Sequence, residues 1–263
     1  ESTRTLEENP MSRIFGVTFG VFSYLVFFVS FVYTVGFLAD FGVPKTVDSA
    51  ATSPAWLAVI INLGLFAVFA VQHSVMARPG FKRWWTRIVP EHLERSIYVL
   101  LSVVVVVLLY WGWQPIEGTV WSVQNETLRG VLWAGYLAGY ATIFLATVLL
   151  NHFDLFGLRQ VWLHAKGEAY TDLPFKTPFF YKHVRHPLYV GWLMAFWITP
   201  EMSVGHLFFA GACSAYIFVA LIFEERDLVA HFGETYREYR RTVPSLMPRF
   251  RGRRVEGAAS ANG

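Results

Sequence analysis

The sequence predicts an all-α protein: a polytopic transmembrane helical bundle with a C-terminal helical hairpin and a cytoplasmic amphipathic helix. Three observations lead there. Only 16% of the 263 residues are charged and 54% are hydrophobic, whereas a soluble domain carries about 25% charged residues. Apolar stretches of bilayer length recur along the chain. Lys and Arg collect in alternate loops between those stretches.

A hydrocarbon core of about 30 Å needs about 20 apolar residues in helix. Residues 14–38 meet this. So do residues 56–76, interrupted by Asn62, Gln72, His73 and Ser74, and residues 96–113, centred on the valine run 103–107. Residues 128–150 follow, with Gly130, Gly135 and Gly139 as small steps for close helix contact. Residues 188–199 are too short to cross upright, and Pro200-Glu201-Met202-Ser203 breaks them before a full-length stretch at 204–223. The pair is expected as a hairpin, 188–223, that packs on the bundle as one unit. Five or six spans result, according to whether the short arm counts.

Residues 1–12 read as a polar tail, 13–254 as a single transmembrane domain, and 255–263, rich in Gly, Ala and Ser, as a disordered tail. The first apolar stretch is too long for a cleaved signal core, and no A-x-A-like site follows it. Cys213 is the single cysteine, which excludes an intramolecular disulfide and any Cys-based zinc spacing.

The net charge of +3 is modest. Its distribution argues against nucleic-acid binding, because the basic residues alternate with apolar blocks as membrane topology requires. One basic loop carries Arg78, Lys82, Arg83, Arg87 and Arg95. A second carries Arg159, Lys166, Lys176, Lys182 and Arg185, and the tail carries Arg226, Arg237, Arg240, Arg241, Arg249, Arg251, Arg253 and Arg254. Loops 40–54 and 114–127 hold just Lys45. Basic loops stay cytoplasmic, so both termini are expected there and the crossings are even in number.

Two segments on that side invite chemistry. In residues 180–191, F-Y-K-H-V-R-H-P-L-Y-V-G, Pro187 suits a first helical turn. Arg185 and His186 then stand beside the free N–H groups and positive end of a helix, a seat for a carboxylate. In residues 223–248, Glu224 and Glu225 end an apolar arm, where acids sit badly against the helix dipole and need a partner. Arg185 or the amino group of a ligand would serve. Phe232, Tyr236, Tyr239 and Val243 then recur at helical spacing. On periodicity alone, this last helix reads first as an interfacial one whose Arg residues reach anionic lipid.

These residues carry a resemblance. Tyr181, R-H-P-L-Y-V-G at 185–191 and E-E-R-D-L-V-A-H-F-G-E-T-Y-R-E-Y-R-R-T-V-P at 224–244 are similar to the isoprenylcysteine carboxyl methyltransferase superfamily. Q-H-S-V-M-A-R-P-G-F-K-R-W-W at 72–85, E-R-S-I-Y-V-L at 94–100 and N-H-F-D-L-F-G-L-R-Q-V-W at 151–162 resemble its NnrU-like branch. The resemblance implies a bacterial cell-membrane enzyme whose S-adenosyl-L-methionine site faces the cytoplasm. It implies that Arg185, His186, Tyr189, Gly191, Glu224 and Glu225 line that site, with Tyr181 and His183 nearby and Tyr236 and Tyr239 covering it. It also implies methyl transfer to a small thiol, methanethiol to dimethyl sulfide. A prenylcysteine or lipid-like acceptor, and a non-enzymatic membrane accessory role, stay open beside it.

A thiol is attacked best as its thiolate, so a base or positive charge near the acceptor is expected. His73, inside a span, is one candidate, and its alternative is a plain interhelical hydrogen bond. Asn151 is a second candidate, with His152 beside it, as polar groups that orient a ligand. Gln160 and Arg159 are expected to reach the cofactor's polar end. His152 and Asp154 with no marked third ligand do not make a metal site.

Overall fold

The structure, a computed structural model, describes residues 10–248. The tail 255–263 and residues Arg249, Arg251, Arg253 and Arg254 lie outside the described residues, as does most of the tail expected at 1–12. The part of that tail that is described is helical, because helix α1 already begins at Pro10.

Five helices are long and apolar enough to cross a membrane. They are α1 (Pro10–Ala39), α2 (Ala55–Ala77), α4 (Glu91–Gly112), α5 (Glu126–Leu150) and α9 (Val204–Phe232). Large apolar side chains such as Phe15, Val29, Ile60, Val131 and Phe218 stand exposed on them. Such belts face lipid, where each helix satisfies its own backbone hydrogen bonds. The chain is a multi-pass membrane protein. Inward, Phe37, Phe66, Trp113, Phe196 and Phe209 form an aromatic core with Tyr136, Tyr140 and Ala195.

Polar side chains fix the ends. Asn125 accepts the Leu128 N–H at 2.9 Å and starts α5, and Ser203 accepts the His206 N–H at 2.9 Å and starts α9. Asn62, fully buried, exchanges two 2.8 Å hydrogen bonds with the Gln114 backbone and ties α2 to the segment after α4.

Helix α8 (Pro187–Trp197) has Pro187 in its first turn and lies against α5. Eleven residues span roughly 16 Å. The chain then runs extended into strand β2 (Glu201–Ser203), which pairs antiparallel with β1 (Thr119–Ser122) in the loop joining α4 to α5. Helix and extended tail together therefore run beside α9 from the basic end to the opposite end. Among the described residues five helices reach full length, and the short arm carries the chain from one end of the bundle to the other.

The segments at the basic end carry more helix than the apolar stretches alone mark. Helix α9 continues to Phe232, nine residues past the expected end at 223. The amphipathic helix α10 (Glu234–Thr242) is separate from it, because Gly233 breaks the chain with φ +60°. The segment 151–187 holds the single turn α6 (His152–Leu155), helix α7 (Leu158–Lys166) and a 3-10 turn at Phe179–Lys182. A short helix α3 (Pro79–Trp85) follows α2 in the basic loop.

Candidate functional site

Residues from α8, α9 and α10 meet at the basic end in one charged knot. Arg185, just before α8, donates from Nε to Glu225 Oε1 at 2.9 Å and also from Nη2. Its third nitrogen donates to the carbonyls of Arg240, at 3.2 Å, and Val243. The guanidinium thus pairs with a carboxylate and caps the C-terminus of α10, where a cation is favoured. His186 Nε2 stands 3.1 Å from Glu225 Oε1, and Arg240 Nε lies 3.2 Å from Glu225 Oε2. Glu225, mid-helix and 7% exposed, therefore has three cationic or N–H partners. Those partners offset the desolvation that a lone buried carboxylate would suffer.

Glu224 is different. Tyr189 donates to its Oε2, and His186 Nδ1 is 3.8 Å away, yet its side chain remains 42% exposed. It is a carboxylate with acceptor capacity to spare. Arg240 is likewise 46% exposed. Tyr236 is 2% exposed, and its hydroxyl has no hydrogen-bond partner. It lies within electrostatic reach of Glu225, Arg185 and Glu224. A buried orphan hydroxyl is costly unless something pairs with it.

The lid over this knot is held by backbone. Arg185 N–H donates to Pro244 O at 2.9 Å, and His186 N–H donates to Ser245 O at 3.1 Å. Tyr239 donates to the Tyr181 carbonyl, and burial pushes the Tyr239 hydroxyl up to about 12, so it keeps its proton at physiological pH. Tyr181, buried, donates to Ala146 O of α5 at 3.3 Å.

Of the residues expected here, Tyr181, Arg185, His186, Tyr189, Glu224, Glu225, Tyr236 and Tyr239 come together. His183 is exposed and ends the 3-10 turn. Gly191 sits at the α5 contact instead: a Cβ there would stand 2.7 Å from Gly139 O and 2.9 Å from Ile143 N. Asn151 caps α6 by accepting the Asp154 N–H, and Gln160 donates to Asp154 O at 3.1 Å. With Arg159, 2.9 Å from Asp154 Oδ1, they form a separate cluster around that aspartate. His73 lies deeper, among hydroxyls of α4. Sequence reasoning gave no role to Arg240 or to the backbone of Val243, Pro244 and Ser245. The Val-Pro step directly after a basic helix end was the available signal.

His152 is buried and shares 2.8 Å hydrogen bonds with Tyr24 and Thr147. Burial lowers its pKa below the ordinary value. The neutral imidazole is therefore the folded form. Its contribution is present above about pH 6.5, the ordinary value, and is lost as pH falls below that. The thermal midpoint in detergent is expected to fall as pH drops from about 7 to about 5, and His152→Gln to flatten part of that fall.

A cleft of about 320 Å³ opens at the opposite end, lined by Asp48, Glu117 and Glu201. Asp48 already accepts from Ser203, and Glu201 is paired with Arg129 at 2.7 Å. No expected site residue lines it.

Lipid-facing helices around a basic-end knot, with a spare carboxylate and an orphan hydroxyl, define a multi-pass membrane protein with a polar cluster packed under a short helix. The family model described as "NnrU protein" matches residues 61–226. A protein named Methanethiol S-methyltransferase from Mycobacterium tuberculosis is 52% identical over 238 residues, 90% of this chain and 98% of its own. One of the same name from Crocosphaera subtropica is 47% identical over 248 residues, covering 94% and 97%. Nurim from Sus scrofa is 29% identical over 176 residues, covering 64% and 66%. No solved structure matches. The chain belongs to the NnrU family.

Proposed function

We propose that this protein is an integral membrane methyltransferase that moves a methyl group from S-adenosyl-L-methionine to methanethiol, giving dimethyl sulfide. The observation that carries it is the knot of Arg185, His186 and Tyr189 against Glu224 and Glu225, with Tyr236 unsatisfied beneath the α10 lid. The names of relatives that align over nearly the whole chain support the acceptor.

The residues present fit the donor. Its amino-acid end carries an ammonium and a carboxylate. Glu224 offers a half-exposed carboxylate to the first, and Arg240 a half-exposed guanidinium to the second. Tyr236 has a hydroxyl free to pair. Glu225 is already saturated, so its part is to hold Arg185 and His186 in place. When bound, S-adenosyl-L-methionine supplies a methyl group activated by its own sulfonium. The chain's task is then to position the two partners and to exclude water. Tyr239 and the 243–245 segment close the site, and Tyr181 braces the closure against α5. His183 and Gly191 are assigned to the rim and to the helix contact behind the site. Asn151 and Gln160 act through the shape of the α6–α7 corner.

The knot shares its end of the bundle with Arg78, Lys82, Arg83 and Arg87, whereas the opposite end holds Lys45 and Arg129. That asymmetry supports a site facing the cytoplasm of a bacterial inner membrane.

Purified full-length protein in detergent, given S-adenosyl-L-methionine and methanethiol, is expected to accumulate dimethyl sulfide in the headspace. Binding of S-adenosylhomocysteine by calorimetry without any dimethyl sulfide overturns the acceptor. Folded protein that binds no S-adenosylhomocysteine overturns the methyltransferase reading itself.

A further inference from the structure

A second polar cluster lies inside the bundle between α2, α4 and α9. His73 Nδ1 stands 3.3 Å from Ser102 Oγ, and both ring nitrogens lie 3.1 Å from the Tyr98 hydroxyl. The ring stacks on Phe69 at 5.2 Å and meets Tyr216 at 6.4 Å. Tyr216 in turn shares a 3.1 Å hydrogen bond with Ser74. Gln72 donates to Ser102 Oγ and to the Met76 sulfur, both at 3.3 Å, and its buried carbonyl oxygen has no partner. Tyr98 and Tyr216 lie within electrostatic reach of Tyr189, which holds Glu224. The cluster is therefore the layer next inward from the knot.

Ionisable groups inside apolar spans are costly and mark pathways or sites. Both ring nitrogens face hydroxyls, which can rotate to serve a bound ligand, and the Gln72 amide oxygen beside them has no partner among the described residues. A neutral imidazole donates from one nitrogen and accepts at the other. With Nδ1–H given to Ser102, the Nε2 lone pair faces the Tyr98 hydroxyl at 3.1 Å, the place a thiol S–H would take over.

Resting on the methyltransferase reading, we propose that the acceptor thiol binds against this cluster and that His73 takes its proton, with Tyr98 as the positioning residue. The thiol S–H bond breaks, and its proton passes to His73 Nε2. The electron pair left on the thiol sulfur forms the new bond to the methyl group. The pair of the broken methyl bond stays on the donor's sulfur, which becomes neutral. His73 gains the positive charge and then loses its proton to water, one per turnover. An alkyl thiol, with a pKa above the roughly 8.5 of cysteine, is mostly protonated at neutral pH. A placed base is worth about 100- to 10,000-fold there.

The charged and titratable groups around His73 are few. Tyr98 faces it from α4 and Tyr216 from α9. Arg95 lies 6.0 Å over the Tyr98 ring, and Glu94 acts on the same tyrosine. The Arg78–Asp227 pair closes the end of α2, and Lys82 stands among Arg95, Glu94 and Arg78.

The test uses full-length protein in detergent and three readouts: the pH profile of dimethyl sulfide formation, calorimetric binding of S-adenosylhomocysteine, and the ultraviolet thiolate band of methanethiol added to S-adenosylhomocysteine-loaded protein. His73→Gln is expected to lose about 100-fold in rate at neutral pH and to regain about tenfold per pH unit as free thiolate forms. Its S-adenosylhomocysteine affinity stays at the parent value, and the bound-thiolate band disappears. Tyr98→Phe is expected to lower kcat while leaving KM for the thiol unchanged, with a weakened thiolate band. A parental pH profile or a persistent thiolate band in His73→Gln overturns the assignment. If that variant fails to fold, Tyr98→Phe and Ser102→Ala carry the test, and a parental band in both overturns it. The methyltransferase reading fails separately, when the parent protein makes no dimethyl sulfide.

Discussion

Glu225→Ala is expected to abolish S-adenosylhomocysteine binding in calorimetry and to lower the thermal midpoint sharply. The change removes the one carboxylate among the described residues that both Arg185 and His186 approach within 3.1 Å. It leaves the Arg185 side chain, 9% exposed, charged and unpaired. Breaking a buried pair by removing one partner costs about 3–5 kcal/mol. A loss of that size reaching the ligand would weaken binding by about 100-fold or more. Glu225→Gln, which keeps the volume and one acceptor, should fall between. Arg185→Lys should not rescue the site, because an ammonium cannot pair with Glu225 and cap the Arg240 and Val243 carbonyls in one fork. Undiminished binding by Glu225→Ala would remove the knot from the function.

Gly191→Val is expected to destabilise the protein by about 1–3 kcal/mol or more, read as a fall in the thermal midpoint. The new atoms would meet Gly139 O and Ile143 N, which are backbone and cannot turn away. Helices α5 and α8 would have to part, and the Tyr181 bond to Ala146 would stretch with them. Gly130→Ala is the matched comparison: nothing lies within 4 Å of a Cβ at Gly130, so its effect should be small. An unchanged midpoint for Gly191→Val would show that the α5–α8 contact is not close.

The spans were legible because apolar length is a property of each segment alone. The meeting of Arg185 with Glu225 was legible as charge: two acids bordering an apolar arm needed a cation, and the hairpin brings one to them. The same acids left open whether α9 stops beside them or continues through Leu228 to His231. Read locally, Glu224 and Glu225 look like an unfavourable helix end. In the fold, Arg185, His186 and Arg240 come from other elements and remove the reason to stop, so the helix runs on to Phe232. Gly130, Gly135 and Gly139 were indistinguishable by composition, yet a Cβ would meet backbone only at Gly139. Helix α7 escaped notice because nine residues give too short a period. Its place is set by Val161, 1% exposed and pressed against Gly20 of α1. That Asn151 and Gln160 both engage the backbone of Asp154 is a tertiary contact the sequence does not show.

The lid's backbone pairing has a consequence for synthesis. Arg185 and Val243 are separated by 58 positions, and Pro244 and Ser245 supply carbonyls that no earlier segment can replace. While the ribosome is still making α9, the nascent chain can already insert its earlier helices, but Arg185 has neither Glu225 nor a cap. The knot is completed only after the last described residues have emerged and folded back, so a transcript cut short by a few codons before Pro244 is expected to yield an inserted protein in which Arg185 lacks its carbonyl cap.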